Sequence, residues 1–392
     1  MALKQRHILF IVSWYPDRNK PALGNFIQQH AKAASLSGKV SVVYCTADKN
    51  VQSGKTELAE QHSGNLSEFR VYYGKINSSF PILSQLKKRN AYRDAMNAGI
   101  EAALYKNGKA DLVHLHVIWP AAVALLSWLE KLQLPLIISE HWSGYLPEDG
   151  NYKGIILKKI SKRITEEAAH ITVVSQRMAD AMKEHGLGNS FSLLHNCVDT
   201  SVFSYKEKHS EPTLRLLHVS MLVDREKNIS GLLNVMQSLE DHPEIQLEII
   251  GDGPERTQLE ELAKQKGTWN KTVFFRGFAT PLIIAEAMQQ SDALVMFSNF
   301  EGMPVTIIEA QCCGLPVIAT KTGSIPNMVN ETQGFLVKPG EEMALKNAIL
   351  RFNESKNTFD RKKISEEALA KYSFEAVGEE LNRLYSMILN KK

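Results

Sequence analysis

Short runs of β-branched and aromatic residues alternate with longer amphipathic stretches along this chain, and they do so in two successive series. In the first series the runs fall at 7–15, 40–45, 69–73, 111–117, 134–139, 171–175 and 191–195. They are apolar almost throughout, which suits parallel strands buried on both faces better than strands with one wet side. A second series begins afresh at 214–221 and continues at 245–250, 272–275, 293–298, 316–319 and 335–337, with helical patterns at 231–239, 255–266 and 282–290 between. Strand and helix alternating twice predicts an α/β chain of two Rossmann-like, doubly wound parallel-sheet domains facing each other across a cleft. The polar segment 204–212 is the expected linker, which separates a domain at 1–205 from one at 212–373. A last amphipathic pattern at 374–389 starts after the second series is complete, so a helix over 374–392 is expected to pack back on the first domain.

Composition narrows the classes. With 392 residues there is room for two cores, and 44% hydrophobic with 23% charged residues is ordinary for a globular chain. The net charge of +3 is unevenly placed: residues 1–205 hold 24 Lys and Arg against 17 Asp and Glu, and the remainder holds 22 against 26. That asymmetry is modest and comes with no RNA or DNA module, so no nucleic-acid partner is expected. Cys45, Cys197, Cys312 and Cys313 have no metal-ligand spacing and suit a reducing cytoplasm. The apolar run 8–12 is too short for a signal-peptide core. The longest apolar stretch, 117–129, contains a proline and falls short of the ~20 residues that span a bilayer. Any meeting with a membrane is expected from outside it.

Ligands of open α/β sheets bind beyond the carboxyl ends of the strands, so the stretches just after each strand are where chemistry belongs. One of them reads SNFEGMPVTIIEAQCCGLPVIATKTGSIPNMV, 298–329, and sets Glu301 and Glu309 eight positions apart. Pro304 suits the first position of a helix over 304–313, and Gly314 suits its end. The amides of Gly302, Met303, Val305 and Thr306 would then point out of the helix start, an arrangement that binds phosphate. Carboxylates beside a phosphate site make sense if they accept hydrogen bonds from vicinal hydroxyls. One Glu on a ribose, one on a sugar and amides on the diphosphate between them describe a nucleotide sugar. Glu309 on an exposed helix face is the plainer alternative. A glycoside-hydrolase pair needs two carboxyls facing each other across a sugar bond, which one loop and its helix arrange poorly.

EGMPVTIIEA followed by CGLPVIATKTGSIPNMV resembles the E-x7-E motif and following strand of the family 4 glycosyltransferases, group 1, retaining enzymes of the GT-B fold. The resemblance covers nearly the whole chain. LFIVSWYPDRNKPALGNFIQQHAKA is similar to that family's first strand, acceptor-side loop and first helix, ISEHWSGY to its His segment, and HNCVDTSVF to its N-G-V-D-x-x-F. HVSMLVDREKN is similar to the first strand and basic loop of its second domain, and IIGDGPERTQLEELA to its G-x-G-P turn. The resemblance implies that Glu301 contacts hydroxyls of the transferred sugar, that the amides of Gly302 to Val305 hold the diphosphate and that Glu309 holds the ribose. It implies that Lys227 neutralises the leaving diphosphate and that His141 lies near the sugar. A departing dianion needs a fixed cation or a metal, and no carboxylate cluster here suits Mg²⁺, so no metal and no cofactor are expected. Gly24 lets backbone approach phosphate or is a plain helix N-cap. Met221 stands where the family has an Arg, and Arg225 is the candidate for that second charge.

The function expected is transfer of a hexose-type sugar from a nucleoside-diphosphate donor, UDP ahead of GDP, to a hydroxyl of a saccharide or lipid-linked saccharide, in cell-surface polysaccharide biosynthesis. A nucleotide-sugar 2-epimerase of the same architecture and a non-catalytic sugar-nucleotide-binding homologue are the alternatives. The acceptor is expected on the basic first domain. LSQLKKRNAYRDAM and YKGIILKKISKRI are basic amphipathic stretches, each able to lie on an anionic bilayer or simply to form a solvated helix face. The expected place is the cytoplasm, with peripheral contact to the inner face of the membrane.

Overall fold

The computed structural model describes residues 5–76, 81–209 and 211–390. Ser210 of the expected linker and residues 391–392 of the expected last helix lie outside the described residues. The chain forms two compact units, Met1–Cys197 with Phe374–Lys392, and Val198–Ser373. The break thus falls before the polar segment read as a linker. That segment is fixed to the second unit: Gln289 Nε2 donates to the Ser204 carbonyl at 2.8 Å, and Lys208 pairs with Asp292. Its polar residues mark bonded surface rather than free chain.

In the first unit the elements run β1 (His7–Val12), α1 (Asn25–Ser35), β2 (Lys39–Asp48), β3 (Thr56–Ser63), β4 (Leu66–Gly74) and α2 (Pro81–Asn107). They continue β5 (Leu112–His116), α3 (Ala122–Leu132), β6 (Leu136–Glu140), α4 (Ile155–Glu166), β7 (Ala168–Val173), α5 (Gln176–Glu184) and β8 (Phe191–Leu193). The sheet order is β3-β4-β2-β1-β5-β6-β7-β8, parallel except for β3 against β4. The runs HILFIV, LVHLH and LIISE are wholly buried, as continuous apolar strands covered on both faces must be. β3, TELAEQHS, is almost wholly exposed and carries no apolar period, which is why the sequence pattern does not show it. It is an edge strand of the charged kind that resists edge-to-edge pairing, turned back on β4 through Gly64 at φ 57°.

The second unit runs β9 (Leu214–Val219), α6 (Asp224–Lys227), α7 (Ile229–Ser238), β10 (Ile245–Ile250), α8 (Arg256–Gln265), β11 (Val273–Gly277) and α9 (Pro281–Gln290). Then follow β12 (Ala293–Met296), α10 (Val305–Cys312), β13 (Val317–Thr320), β14 (Gly334–Val337), α11 (Glu342–Ser355) and α12 (Arg361–Tyr372). All six strands are parallel, in the order β11-β10-β9-β12-β13-β14. Numbered within the unit this is 3-2-1-4-5-6, the doubly wound order in which the connections leave β9 and β12 in opposite directions. The crevice at their carboxyl ends is where a ligand fits. In the first unit the equivalent divergence lies between β1 and β5.

α13 (Phe374–Leu389) returns to the first unit and lays Val377, Leu381, Tyr385 and Ile388 against Ile27, Ala31 and Ala34 of α1. Gly378 makes the close approach possible, since a Cβ there would lie 2.6 Å from the Ala33 carbonyl oxygen. Tyr385 also shares a 2.8 Å hydrogen bond with buried His114 Nδ1, so α13 closes a polar group inside the sheet layer as well as an apolar one. Gly378→Ala should therefore cost about 1–3 kcal/mol by overpacking. A lowered urea midpoint with an unchanged slope checks this, and an unchanged midpoint refutes the close packing.

Candidate active site

In the second unit the two loops that follow the diverging strands are stitched together. The Asn299 N–H donates to the Glu226 carbonyl at 2.8 Å, and Asn299 Nδ2 donates to the Arg225 carbonyl at 3.0 Å. This brings Lys227, at the end of α6, to Glu301, in the loop before α10: Lys227 Nζ lies 2.7 Å from Glu301 Oε1. The Ser298 hydroxyl donates to the same oxygen at 2.7 Å. Glu301 is only 8% exposed, so its charge is held by one cation and one hydroxyl in a largely dry place. The two residues are 74 positions apart in sequence, and the sheet order alone makes them neighbours.

Met221, at the position where a second cation was expected, is 63% exposed. The Arg225 guanidinium sits 5.8 Å from the Phe300 ring, directly beside the Glu301 loop. Asp224 caps the next turn by accepting from the Ser230 N–H and hydroxyl, both at 2.7 Å, which fixes the short helix carrying Arg225 and Lys227.

Residues that the sequence reading left unassigned support this loop. Thr320 Oγ1 donates to the Ser298 carbonyl at 2.6 Å, and Ser324 donates to the Gly302 carbonyl from its hydroxyl at 2.8 Å and from its N–H at 3.0 Å. Gly323, at φ 55°, passes so close that a Cβ would lie 2.0 Å from the Glu301 carbonyl oxygen. The K-T-G-S turn after β13 is thus the wall behind Glu301. On the other side a Cβ on Gly251, at φ 149°, would lie 1.9 Å from the Ser220 carbonyl oxygen, so the G-D-G turn is a packing requirement.

α10 begins at Val305, with Pro304 one place earlier than expected as its N-cap, at φ −70° and ψ 114°. Pro304 offers no N–H and no side-chain cap, so the helix start presents backbone amides alone, beside Gly302 and Met303. The helix ends as read, with Gly314 at φ 70°. Glu309 lies on its second turn, half-buried among Cys312, Cys313 and the apolar face of α10. Burial raises its carboxyl to about 7. Among the described residues no cation or hydrogen-bond donor pairs with it.

Gly24 and His141 belong to the first unit. Gly24 is the N-cap of α1 at φ 66°, and the backbone it approaches is the chain's own: a Cβ would lie 2.6 Å from the Trp14 carbonyl carbon. His141 follows β6, and its loop hangs from buried Glu140. That carboxylate accepts from the N–H groups of His141 (2.8 Å), Trp142 (3.0 Å) and Ile118 (3.1 Å) and from the Tyr145 hydroxyl (3.1 Å). The His141 ring lies 4.7 Å from the ring of Phe26 on α1, 5.5 Å from that of His30 and 5.8 Å from that of His116. Burial lowers all three imidazoles, His30 to about 4, so each is neutral at pH 7.

The raised Glu309 carboxyl binds its proton more tightly in the folded state than in the unfolded one. Folded stability therefore falls as pH rises from about 4.5 to about 7 and stays low above that. Glu309→Gln should raise the Tm of the unliganded chain at pH 8 by a few degrees, about 2–4 per kcal/mol recovered, with the difference vanishing near pH 5. A Tm difference independent of pH would place Glu309 in water.

Residues 35–202 match the family described as Glycosyltransferase Family 4, and residues 202–371 match Glycosyl transferases group 1. Over 363 residues the chain is 26% identical to TuaC of Bacillus subtilis (strain 168), a protein named for glycosyl transfer in teichuronic acid biosynthesis, covering 88% of each chain. Among solved structures, sucrose-phosphate synthase from Thermosynechococcus elongatus superposes with a TM-score of 0.77 at 20% identity, over 99% of this chain and all of that one. HepE of Anabaena, solved with UDP, gives 0.70 at 18% identity over 97% of this chain and all of that one. At such identities these two show a shared fold, that of GT-B glycosyltransferases. With the matched segments running almost the length of both units, the chain belongs to the group 1, family 4 glycosyltransferases.

Proposed function

We propose that this glycosyltransferase moves a hexose-type sugar from a nucleoside-diphosphate donor, UDP ahead of GDP, to a hydroxyl of a saccharide or lipid-linked saccharide, with retention at the anomeric carbon. The observation that carries the reading is the Lys227–Glu301 pair at the β9/β12 switch point. An ammonium and a carboxylate held together in a dry crevice are matched to a ligand with hydroxyls at one end and an anion at the other. Sugar hydroxyls donate to Glu301 while the diphosphate draws Lys227 and Arg225, and the α10 amides take its other oxygens. Glu309 accepts from the ribose. HepE's bound UDP supports the base, and the name of TuaC supports a cell-surface polysaccharide as the product's class.

In this reading the bond from the anomeric carbon to the diphosphate oxygen breaks while the acceptor oxygen bonds on the same face. The acceptor's proton passes to the leaving phosphate, whose charge Lys227 holds in place of a metal ion.

The acceptor side rests on a groove of about 680 Å3 in the first unit, where the two basic amphipathic stretches meet. Leu86, Tyr92, Trp119 and Ile156 give it an apolar floor, with Lys88, Arg89 and Lys153 around it. Ile155 is 75% exposed at its edge. An aliphatic chain in the groove and an anionic head on the cations suit a lipid-linked acceptor at a membrane surface. No helix among the described residues is long and apolar enough to cross a membrane.

Glu301→Gln keeps the shape and the Ser298 contact, so kcat should fall about 10²–10³-fold with the Tm nearly unchanged. Lys227→Ala should lose as much turnover and also melt lower, because it strands a buried carboxylate. Wild-type kcat in Glu301→Gln would sink the assignment. UDP at a hundred times its dissociation constant should stabilise wild type by about 2.7 kcal/mol, an increment lost in Glu309→Gln; a shift with none of UDP, GDP, ADP or CDP would point to a non-catalytic homologue. Sedimentation with anionic vesicles at low salt should carry the protein down, and replacing Lys88, Arg89 and Lys153 by Gln should release it. Failure to sediment removes the lipid-linked acceptor.

A further inference from the structure

We propose that Ser298 is a positioning residue for sugar binding: it sets the direction of the Glu301 carboxylate once the donor has drawn Lys227 away. The inference rests on the reading that Glu301 accepts from the transferred sugar and that Lys227 pairs with the diphosphate. In the unliganded chain the Lys227 ammonium and the Ser298 hydroxyl both donate to Glu301 Oε1, each at 2.7 Å. Among the described residues nothing donates to Oε2, so Oε2 is the oxygen left for a ligand. A bound diphosphate competes with Glu301 for the same ammonium.

The backbone around Glu301 is already held. Thr320 Oγ1 donates to the Ser298 carbonyl at 2.6 Å, Ser324 donates twice to the Gly302 carbonyl, and Gly323 packs on the carbonyl of Glu301 itself. What remains free is the side chain. The last torsion of a glutamate joins an sp³ carbon to an sp² one, and such torsions are broad and roughly two-fold, with no sharp preference of their own. The donors on Oε1 therefore decide which way the carboxylate faces and where Oε2 is offered.

The two donors differ in reach. Lys227 carries its ammonium on a flexible four-carbon stem from the end of α6, with 17% of the side chain exposed, so an anionic ligand can draw it across. Ser298 is wholly buried, and its hydroxyl stands one carbon from a main chain that Thr320 pins. It cannot follow the ammonium. Being wholly buried, it acts through Glu301 rather than on the ligand. With Lys227 on the diphosphate, Ser298 is the donor among the described residues that stays on Oε1, and Oε2 stays turned to the sugar hydroxyls. The short hydroxyl thus does for the loaded site what the ion pair does for the empty one.

The test separates the sugar's share of binding from the nucleotide's. The full chain, without acceptor, is titrated in a calorimeter with UDP and with UDP-glucose, UDP-galactose and UDP-N-acetylglucosamine. Ser298→Ala should weaken the UDP-sugar that binds wild type best by about tenfold, the worth of one hydrogen bond to a charged group, and leave the affinity for UDP unchanged. In a Glu301→Ala background, Ser298→Ala should change neither affinity, because its route to the sugar is gone. UDP and UDP-sugar weakened equally in Ser298→Ala, which a merely structural role gives, would overturn the proposal. So would an unchanged UDP-sugar affinity in Ser298→Ala while Glu301→Ala loses it, or a further loss in the Glu301→Ala background. No binding of UDP to wild type, or UDP-sugar affinity unchanged in Glu301→Ala, would overturn the donor reading itself and the proposal with it.

Discussion

A parallel sheet wrapped on both faces has no free side on which to do chemistry, and this constraint governs both units. Strands such as HILFIV and ALVM are buried end to end, so every polar group that acts must sit at a strand terminus. The place where connections diverge is the one gap in the layer of helices. Lys227 and Glu301 occupy it in the second unit, and His116 and His141 lie at the carboxyl ends of β5 and β6 in the first.

The same constraint explains the glycines. A crevice narrow enough to exclude water needs loops that touch along their backbones. Gly323 against Glu301 and Gly251 against Ser220 are contacts that no Cβ allows. Gly24 shows the pattern in the first unit, packed on Trp14 and Tyr15 at the start of α1. These residues touch the site's support rather than its ligand, and substitutions there move Glu301 or α1 before they alter any charge.

Two kinds of buried charge are handled differently. Glu301 is paired with Lys227 and accepts from Ser298, and Glu140, which burial pushes upward, accepts from four donors that oppose that push, so each is held rigidly. Glu309 has no such partner and is driven toward its neutral form. A carboxyl left in this state lowers the stability of the unliganded chain at neutral pH.

Most of the fold was legible because buried parallel strands leave a plain mark: long apolar runs, repeated at strand-and-helix spacing. The strands that bear the site could be placed from residues such as 293–298 and 214–221, and the E-x7-E spacing singled out both carboxylates. What escaped was structure whose stability comes from neighbours, including exposed β3, which is held by pairing with β4, and helices α11 and α12. The polar segment 204–212 reads as free chain for the same reason, since Gln289 and Asp292, the partners of Ser204 and Lys208, are more than eighty residues away. The sequence by itself determined two alternating α/β series and the pairing of two carboxylates with a helix start, because burial on both faces and spacing along one loop are local patterns. Only the tertiary structure decided that Lys227 meets Glu301 and that His30 joins His116 and His141, because those meetings depend on strand order, and strand order leaves no trace in local periodicity.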